Sequence, residues 1–249
     1  MVTSRLRLRP DGTRAPARVP LSPDDVVDAA LAMVDRDGFD SLSMRGLAKE
    51  MGVYPTALYW HAGNKAQLLA LVCQRVLEEI ELPPLDGTAW QDWIVAMGVD
   101  ARRVLGTHPH LAAYFVSQLQ VSTSSLLLAE RTLAVLSAAG FHGNTLLFAY
   151  NNVLGSIFGW ISGEFAADPQ DADSTWREHF EAELTATDTT LVPTIRSNLP
   201  LVANQAFMLR WSSGPAAPMN GSFDFMLRSL TLGLAAQLKA VSGPPHRSS

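Results

Sequence analysis

Tyr59, Trp60 and His61 stand side by side in this chain, Lys65 follows them, and Ser43 and Arg45 precede them within one short stretch. Tyrosine, histidine, lysine and arginine share one capability: they donate hydrogen bonds to phosphate oxygens and to the base edges of nucleic acid. Lys65 stands where a helix would begin, and the unpaired N–H groups of a helix start attract a phosphate as the ammonium does. Catalytic chemistry finds less support. His61, His108, His110, His142 and His179 are scattered among carboxylates, but there is neither a glycine-rich phosphate loop nor a Gly-x-Ser-x-Gly elbow, so no enzyme is expected. His108-Pro109-His110 lacks a carboxylate or third histidine close by in sequence. A turn between helices is therefore expected there and a metal site is not; no cofactor is expected either. Cys73, beside Val72 and one turn before Val76, reads as a buried inert thiol and not as a redox sensor.

A folded body must hold these side chains, and the composition permits one. The chain has 249 residues, 47% hydrophobic and 17% charged, with a formal net charge of −5. That apolar fraction fills a globular core and excludes wholesale disorder. A single cysteine excludes a disulfide scaffold and fits a reducing, cytoplasmic setting. No apolar segment near residue 1 has the character of a secretory signal. The longest apolar run, Leu146 to Ile161, falls short of the ~20 residues of a membrane span, and Asn151 and Asn152 interrupt it. It reads as a buried helix, and no membrane partner is expected. Residues 1–22 hold Arg5, Arg7, Arg9, Arg14 and Arg18 against Asp11 alone, which suits either a nucleic-acid-binding arm or an ordinary N-terminal stretch.

The periodicity is helical and nowhere alternates at period two for long, which predicts an all-α protein. Ser22 caps a first helix, with Pro23 at its first position, Asp24 and Asp25 in the first turn, and Gly38 as a left-handed stop. A second helix spans Ser43 to Met51 and closes on Gly52; a third runs from near Pro55 to before Gly63. A fourth starts at Asn64 with Gln67 as its capping-box partner, carries a stripe through Ile80, and stops at Pro83 and Pro84. Further helices are expected at about 88–106, 109–118, 123–139, 142–166, 174–186 and 222–241, with 187–221 broken into short pieces by Pro193, Pro200, Pro215 and Pro218. Four parts result: a flexible basic arm over 1–20, a helical unit over 21–82, a larger helical unit over 83–241, and a flexible tail over 242–249.

Two short helices meet across Met51-Gly52-Val53-Tyr54, with Leu47, Ala48, Val53 and Leu58 placed to pack inside. This is the spacing of a helix-turn-helix, whose second helix enters a major groove. The run Gly38-Phe39, Ser43-Met44-Arg45-Gly46-Leu47-Ala48, Gly52-Val53, Ala57-Leu58-Tyr59-Trp60-His61, Asn64-Lys65 and Leu68-Leu69 resembles the N-terminal domain of the tetracycline-repressor (TetR) family over residues 22–80. The resemblance continues more weakly through Trp90-Gln91-Asp92, Gly140-Phe141 and Gly233-Leu234 to Gln237-Leu238-Lys239. It implies an all-helical homodimer that binds palindromic operator DNA as a repressor and lets go on binding a small effector; an activator or a ligand-independent DNA-binding protein is the alternative on the same fold. It also implies that residues 21–82 are a three-helix helix-turn-helix DNA-binding domain and residues 83–241 a ligand-binding and dimerisation domain, and that Arg45, Tyr59, His61 and Lys65 contact DNA. Ser43, Pro55, Thr56, Ala57 and Trp60 complete the expected DNA-binding set, with core packing as the other reading of Trp60. Pro55-Thr56-Ala57 stands where tetracycline repressors carry Gln-Pro-Thr, and proline and alanine side chains offer base edges no hydrogen bond, so a different operator sequence is expected.

The same resemblance sets Glu81, Met97, Ala101, Phe115 and Thr132 where tetracycline repressors hold the drug and its magnesium, with Phe115 in place of the metal-coordinating histidine. Neither tetracycline nor magnesium is therefore expected. A pocket of Met97, Tyr114, Phe115, Phe148, Phe158 and Trp160, with Gln118, Thr132 and Asn151 as orienting groups, would suit an apolar or aromatic effector. Gly155, Gly159 and Gly163 recur every four residues, which suggests close helix approach, either within one subunit or at an interface between two. The resemblance favours the interface, through the helices near 142–166 and 222–241. It further implies that ligand binding moves the helix from Asn64 to Ile80 and so alters the separation of the two reading heads.

Overall fold

Ser22 starts the first helix as its spacing predicts. Its hydroxyl accepts the Asp25 N–H at 3.1 Å, and the Asp25 carboxylate accepts the Ser22 N–H at 2.8 Å, so two otherwise unpaired donors are satisfied reciprocally. The computed structural model describes residues 21–117, 122–165, 175–207 and 219–242, and its described residues form eleven α-helices and no strand. The arm expected over 1–20 and the residues after Ser242 lie outside them.

Four helices make the N-terminal unit: α1 (Pro23–Asp37), α2 (Met44–Met51), α3 (Pro55–Ala62) and α4 (Lys65–Glu78), with a 3-10 turn at Phe39–Ser41. Val26, Val27, Ala30 and Val34 of α1 bury against Leu47 and Ala48 of α2, Leu58 of α3, and Leu68, Val72 and Val76 of α4. Gly38 has φ 77° and ψ 175°, positive as expected but extended and not left-handed helical, because the chain turns straight into the 3-10 turn. The α4 start is the expected box of Asn64 and Gln67. The helix ends at Glu78, two residues before the expected Ile80 and well before Pro83 and Pro84. Contacts with the next helix capture the exit. The Glu81 N–H donates to Asp100 at 2.7 Å, Arg103 donates to the Glu79 carbonyl, and the Trp93 indole donates to the Pro83 carbonyl at 2.9 Å.

The C-terminal unit contains α5 (Trp90–Thr107), α6 (Pro109–Ser117), α7 (Thr123–Ala138), α8 (Gly143–Glu164), α9 (Thr175–Ala186), α10 (Pro193–Val202) and α11 (Asn220–Ser242). Its core joins Trp93, Ile94, Met97 and Ala101 of α5 to Ala149, Val153, Ile157 and Ile161 of α8 and Phe223, Leu227 and Leu234 of α11. Gly98 lets α5 approach closely, since a Cβ there would stand 2.9 Å from Leu227 and 3.1 Å from Ile157. No helix among the described residues is long and apolar enough to cross a membrane.

Cys73 lies in the α4 core at 2% exposure, and burial pushes its thiol up to about 12. Because the thiolate is the reactive form, we expect no labelling of the native chain by a thiol reagent at pH 8 and full labelling in denaturant. Rapid native labelling would show that α4 opens.

Candidate nucleic-acid interface

The outer face of α3 is what remains once its inner face is filled. Leu58 and Ala62 turn inward and are buried, pinned by Leu47 and Ala48 of α2 across the turn at Gly52. Gly52 takes the left-handed conformation (φ 65°, ψ 31°), and the Val53 N–H donates to the Ala48 carbonyl, which fixes the angle between the two helices. Thr56, Tyr59 and Trp60 are left facing outward. Trp60 is 89% exposed and Tyr54, at the α3 cap, 83%. Core packing, the other reading of Trp60, is thereby overturned: the inner side of an eight-residue helix has room only for Leu58 and Ala62. An indole left in water forgoes roughly 2–3 kcal/mol of burial, and adjoining exposed aromatics mark a surface that a partner covers. Tyr54 extends this surface from the α3 cap.

Arg45 stands exposed on α2, and Lys65 at the α4 start reaches its ammonium toward the Phe39 carbonyl at 3.3 Å. His61 is half-buried at the end of α3. The Ser43 hydroxyl accepts the Gly46 N–H at 3.0 Å, so it caps α2 while its proton remains available to a phosphate. Pro55 and Ala57 are half-buried at the front of α3. Eight of the nine expected DNA-binding side chains thus lie on α2, α3 and the α2 cap, and the ninth, Lys65, opens α4.

The expected effector residues are not brought together. Met97 and Thr132 are buried on α5 and α7, and the Thr132 hydroxyl donates to the Leu128 carbonyl at 2.8 Å. Phe158 and Trp160 pack half-buried against the core on α8. Phe148 and Asn151 instead point outward: Ala149, Val153, Ile157 and Ile161 take the buried stripe of α8, and helical geometry puts residues 148 and 151 outside it. Phe148 lines a groove of about 270 Å³ between α8 and α11 with Phe141, Asn152 and Leu234. Tyr114 is no pocket wall either; it stacks on Phe39 of the N-terminal unit at 4.4 Å between ring centroids. Gln118 and the Phe115 side chain lie outside the described residues.

His108 marks the expected turn between α5 and α6, and it does more. Its Nδ1 lies 2.8 Å from the Asp35 carboxylate of α1, and its Nε2 3.6 Å from Glu79 at the end of α4. The His110 ring stands 3.7 Å from where a Cβ at Gly38 would lie. With the Phe39–Tyr114 stack, these contacts join α6 to the helices that carry the α3 surface. Sequence reasoning left this joint unseen, because the partners of His108 lie far away in the chain. No group of three or more metal-ligating side chains occurs among the described residues.

Residues 26–72 match the family of bacterial regulatory proteins, tetR family, and residues 82–237 match the tetracyclin repressor-like C-terminal domain. An HTH-type transcriptional regulator of Saccharopolyspora erythraea is 36% identical over 162 residues, so the chain spans 65% of that relative's length. The tetracycline repressor protein class E of Escherichia coli is 26% identical over 224 residues, 88% of this chain and 92% of that one. Among solved structures, the Streptomyces coelicolor TetR family protein ActR in complex with actinorhodin superposes with a TM-score of 0.68 at 24% identity, over 88% of this chain and 97% of that one. That likeness shows a shared fold.

Proposed function

Because this chain belongs to the TetR family of bacterial regulatory proteins and is a DNA-binding transcription regulator and not an enzyme, we propose that it acts as a cytoplasmic homodimeric repressor, released from a palindromic operator by a small, largely apolar or aromatic effector. Residues 21–82 form the reading head and 83–241 the ligand-binding and dimerising body. The observation that carries this reading is the outward aromatic face of α3 on a packed α2–turn–α3 unit. Thr56, Tyr59 and Trp60 enter the major groove, while Arg45, His61 and Lys65 hold the phosphate backbone.

Dimerisation uses the outer sides of α8 and α11. Phe225 and Leu232 of α11 are more than 70% exposed, and among the described residues a Cβ at Gly155 or Gly159 would meet nothing within 4 Å. Such a face lets a second copy approach closely, and a two-fold axis spaces the α3 helices for half-sites about 34–36 Å apart. The effector enters the body between its helices, with the half-buried Phe158 and Trp160 of α8 among the apolar groups that meet it. The Trp160 indole N–H has no hydrogen-bond partner among the described residues and offers a donor to a ligand acceptor. Movement of α6 reaches the reading head through the His108–Asp35 joint, and an open cleft of about 560 Å³ lined by α4 and the start of α7 leaves space for α4 to swing.

Selection from a random duplex pool tests the reading. An enriched palindrome with half-sites one helical turn apart is the expected product; binding without enrichment refutes operator recognition. On the selected duplex, Tyr59→Ala and Lys65→Ala are each expected to lower affinity about tenfold, and Lys65→Ala to reduce the salt slope by about 1. Both side chains are exposed, so the melting temperature is unchanged.

A further inference from the structure

Head and body are joined covalently at one place, the stretch between Glu78 of α4 and Trp90 of α5. One covalent link is a hinge, so contacts away from it must set the angle of the head. The bonds of Glu79, Glu81 and Pro83 to α5 hold the link itself. A second attachment lies at the end of α1, and α6 makes it. The His108 Nδ1 stands 2.8 and 3.0 Å from the two Asp35 oxygens. A carboxylate only accepts, so Nδ1 donates. His108 is 9% exposed, which shields this bond from water. Other acids of α1 serve the head: Asp24 and Asp28 pair with Arg75, and Asp37 pairs with Arg36. Asp35 is instead directed at the body. Just beyond it, the His110 ring adjoins Gly38, and Phe39 stacks on Tyr114 with 25° between the ring planes. Elsewhere the head is less restrained, since the open cleft lined by Gln67, Leu71 and Gln74 of α4 and Leu126 of α7 leaves room for it to turn.

In a two-fold dimer the angle of each head becomes a distance along DNA. A base pair inserted between two half-sites moves one of them by about 3.4 Å and turns it by about 35° around the duplex axis. A head held at one angle follows neither displacement, whereas a head that swings follows part of both. We infer that His108 and Asp35 set the half-site spacing the dimer accepts. They are positioning residues: they fix the direction in which α3 is presented and contact no base. This rests on the dimeric operator-binding reading given above, and it holds for the chain without effector.

The test uses four duplexes: the one selected by the unsubstituted chain, the same half-sites with one base pair added or removed between them, and a single half-site. The unsubstituted chain is expected to bind the selected spacing far more tightly than the two altered ones. H108A and D35A should each shrink that discrimination about tenfold, the worth of one hydrogen bond to a charged group, with affinity for the single half-site unchanged. H108A/D35A should shrink it no further than either single variant, because both remove the same bond. H108N, whose amide donates in place of Nδ1, should restore most of it. Helicity and melting temperature are compared alongside, and D35A, at a side chain 28% exposed, keeps the test open if H108A does not fold. Unchanged spacing discrimination in folded variants overturns the role of the pair. An equal loss on all four duplexes also overturns it, since that outcome assigns the pair to the stability of the head. If the unsubstituted chain enriches no duplex, or only an isolated half-site, the dimeric operator reading itself fails and the spacing role with it.

Discussion

Replacing Glu164 with alanine is expected to lower the unfolding free energy by about 3–5 kcal/mol, the cost of leaving one member of a buried ion pair without its partner. The Glu164 side chain is 1% exposed, and Arg102 meets it with two hydrogen bonds, Nε at 2.8 Å and Nη2 at 2.6 Å. The carboxylate also accepts the buried Met219 N–H at 3.1 Å. Arg102 in turn donates to the Asn220 side chain at 2.8 Å and lies 5.0 Å above the Phe223 ring. One carboxylate thus ties α5, α8 and the start of α11 together. Its removal leaves a guanidinium at 18% exposure without its carboxylate and takes this acceptor from the Met219 N–H. The double variant R102M/E164L, which replaces both charges with apolar groups of similar size, is expected to recover most of the loss. Denaturant unfolding followed by circular dichroism measures both. A loss below about 1 kcal/mol for E164A would show that water or local rearrangement reaches the guanidinium.

The second large effect concerns association. Gly155 and Gly159 sit inside α8, where glycine costs about 1 kcal/mol against alanine, and among the described residues no neighbouring side chain occupies the space beside them. Gly159→Leu is therefore expected to leave the monomer fold intact or slightly more stable. It is also expected to block the approach of a second α8, giving a monomer in sedimentation velocity. Because operator affinity in a dimer draws on two half-sites held together, affinity for the selected duplex should fall at least ~100-fold. Gly159→Ala adds only one carbon and should have a smaller effect. A dimeric G159L with undiminished affinity would remove α8 from the interface.

What could be read from residue order, and what could not, divides along sequence separation. The caps Ser22, Ser43 and Asn64, the left-handed Gly52 and the proline at the front of α3 act over three or four residues. Their energies are set by immediate neighbours, so the helix starts and the helix-turn-helix were legible before any packing was known. What residue order left open depended on distant partners. Helix α4 stops at Glu78 because Asp100 and Arg103 of α5 satisfy the backbone that leaves it. Trp60 faces outward because Leu58 and Ala62 already fill the inner side of α3. His108 joins head and body because Asp35, 73 residues away, is folded against it.

Helix α8 shows the division within one element. Apolar residues stand on several of its sides, so residue order predicts a long helix and leaves open which stripe is buried. Packing against α5, α6, α7 and α11 assigns Ala149, Val153, Ile157 and Ile161 to the core, which puts Phe148, Asn151, Gly155 and Gly159 on the outside. Local hydrogen bonding and backbone geometry thus set the helices and the reading motif, whereas the direction each face points follows from long-range burial, where many weak contacts among residues far apart in the chain outweigh any preference of a single segment.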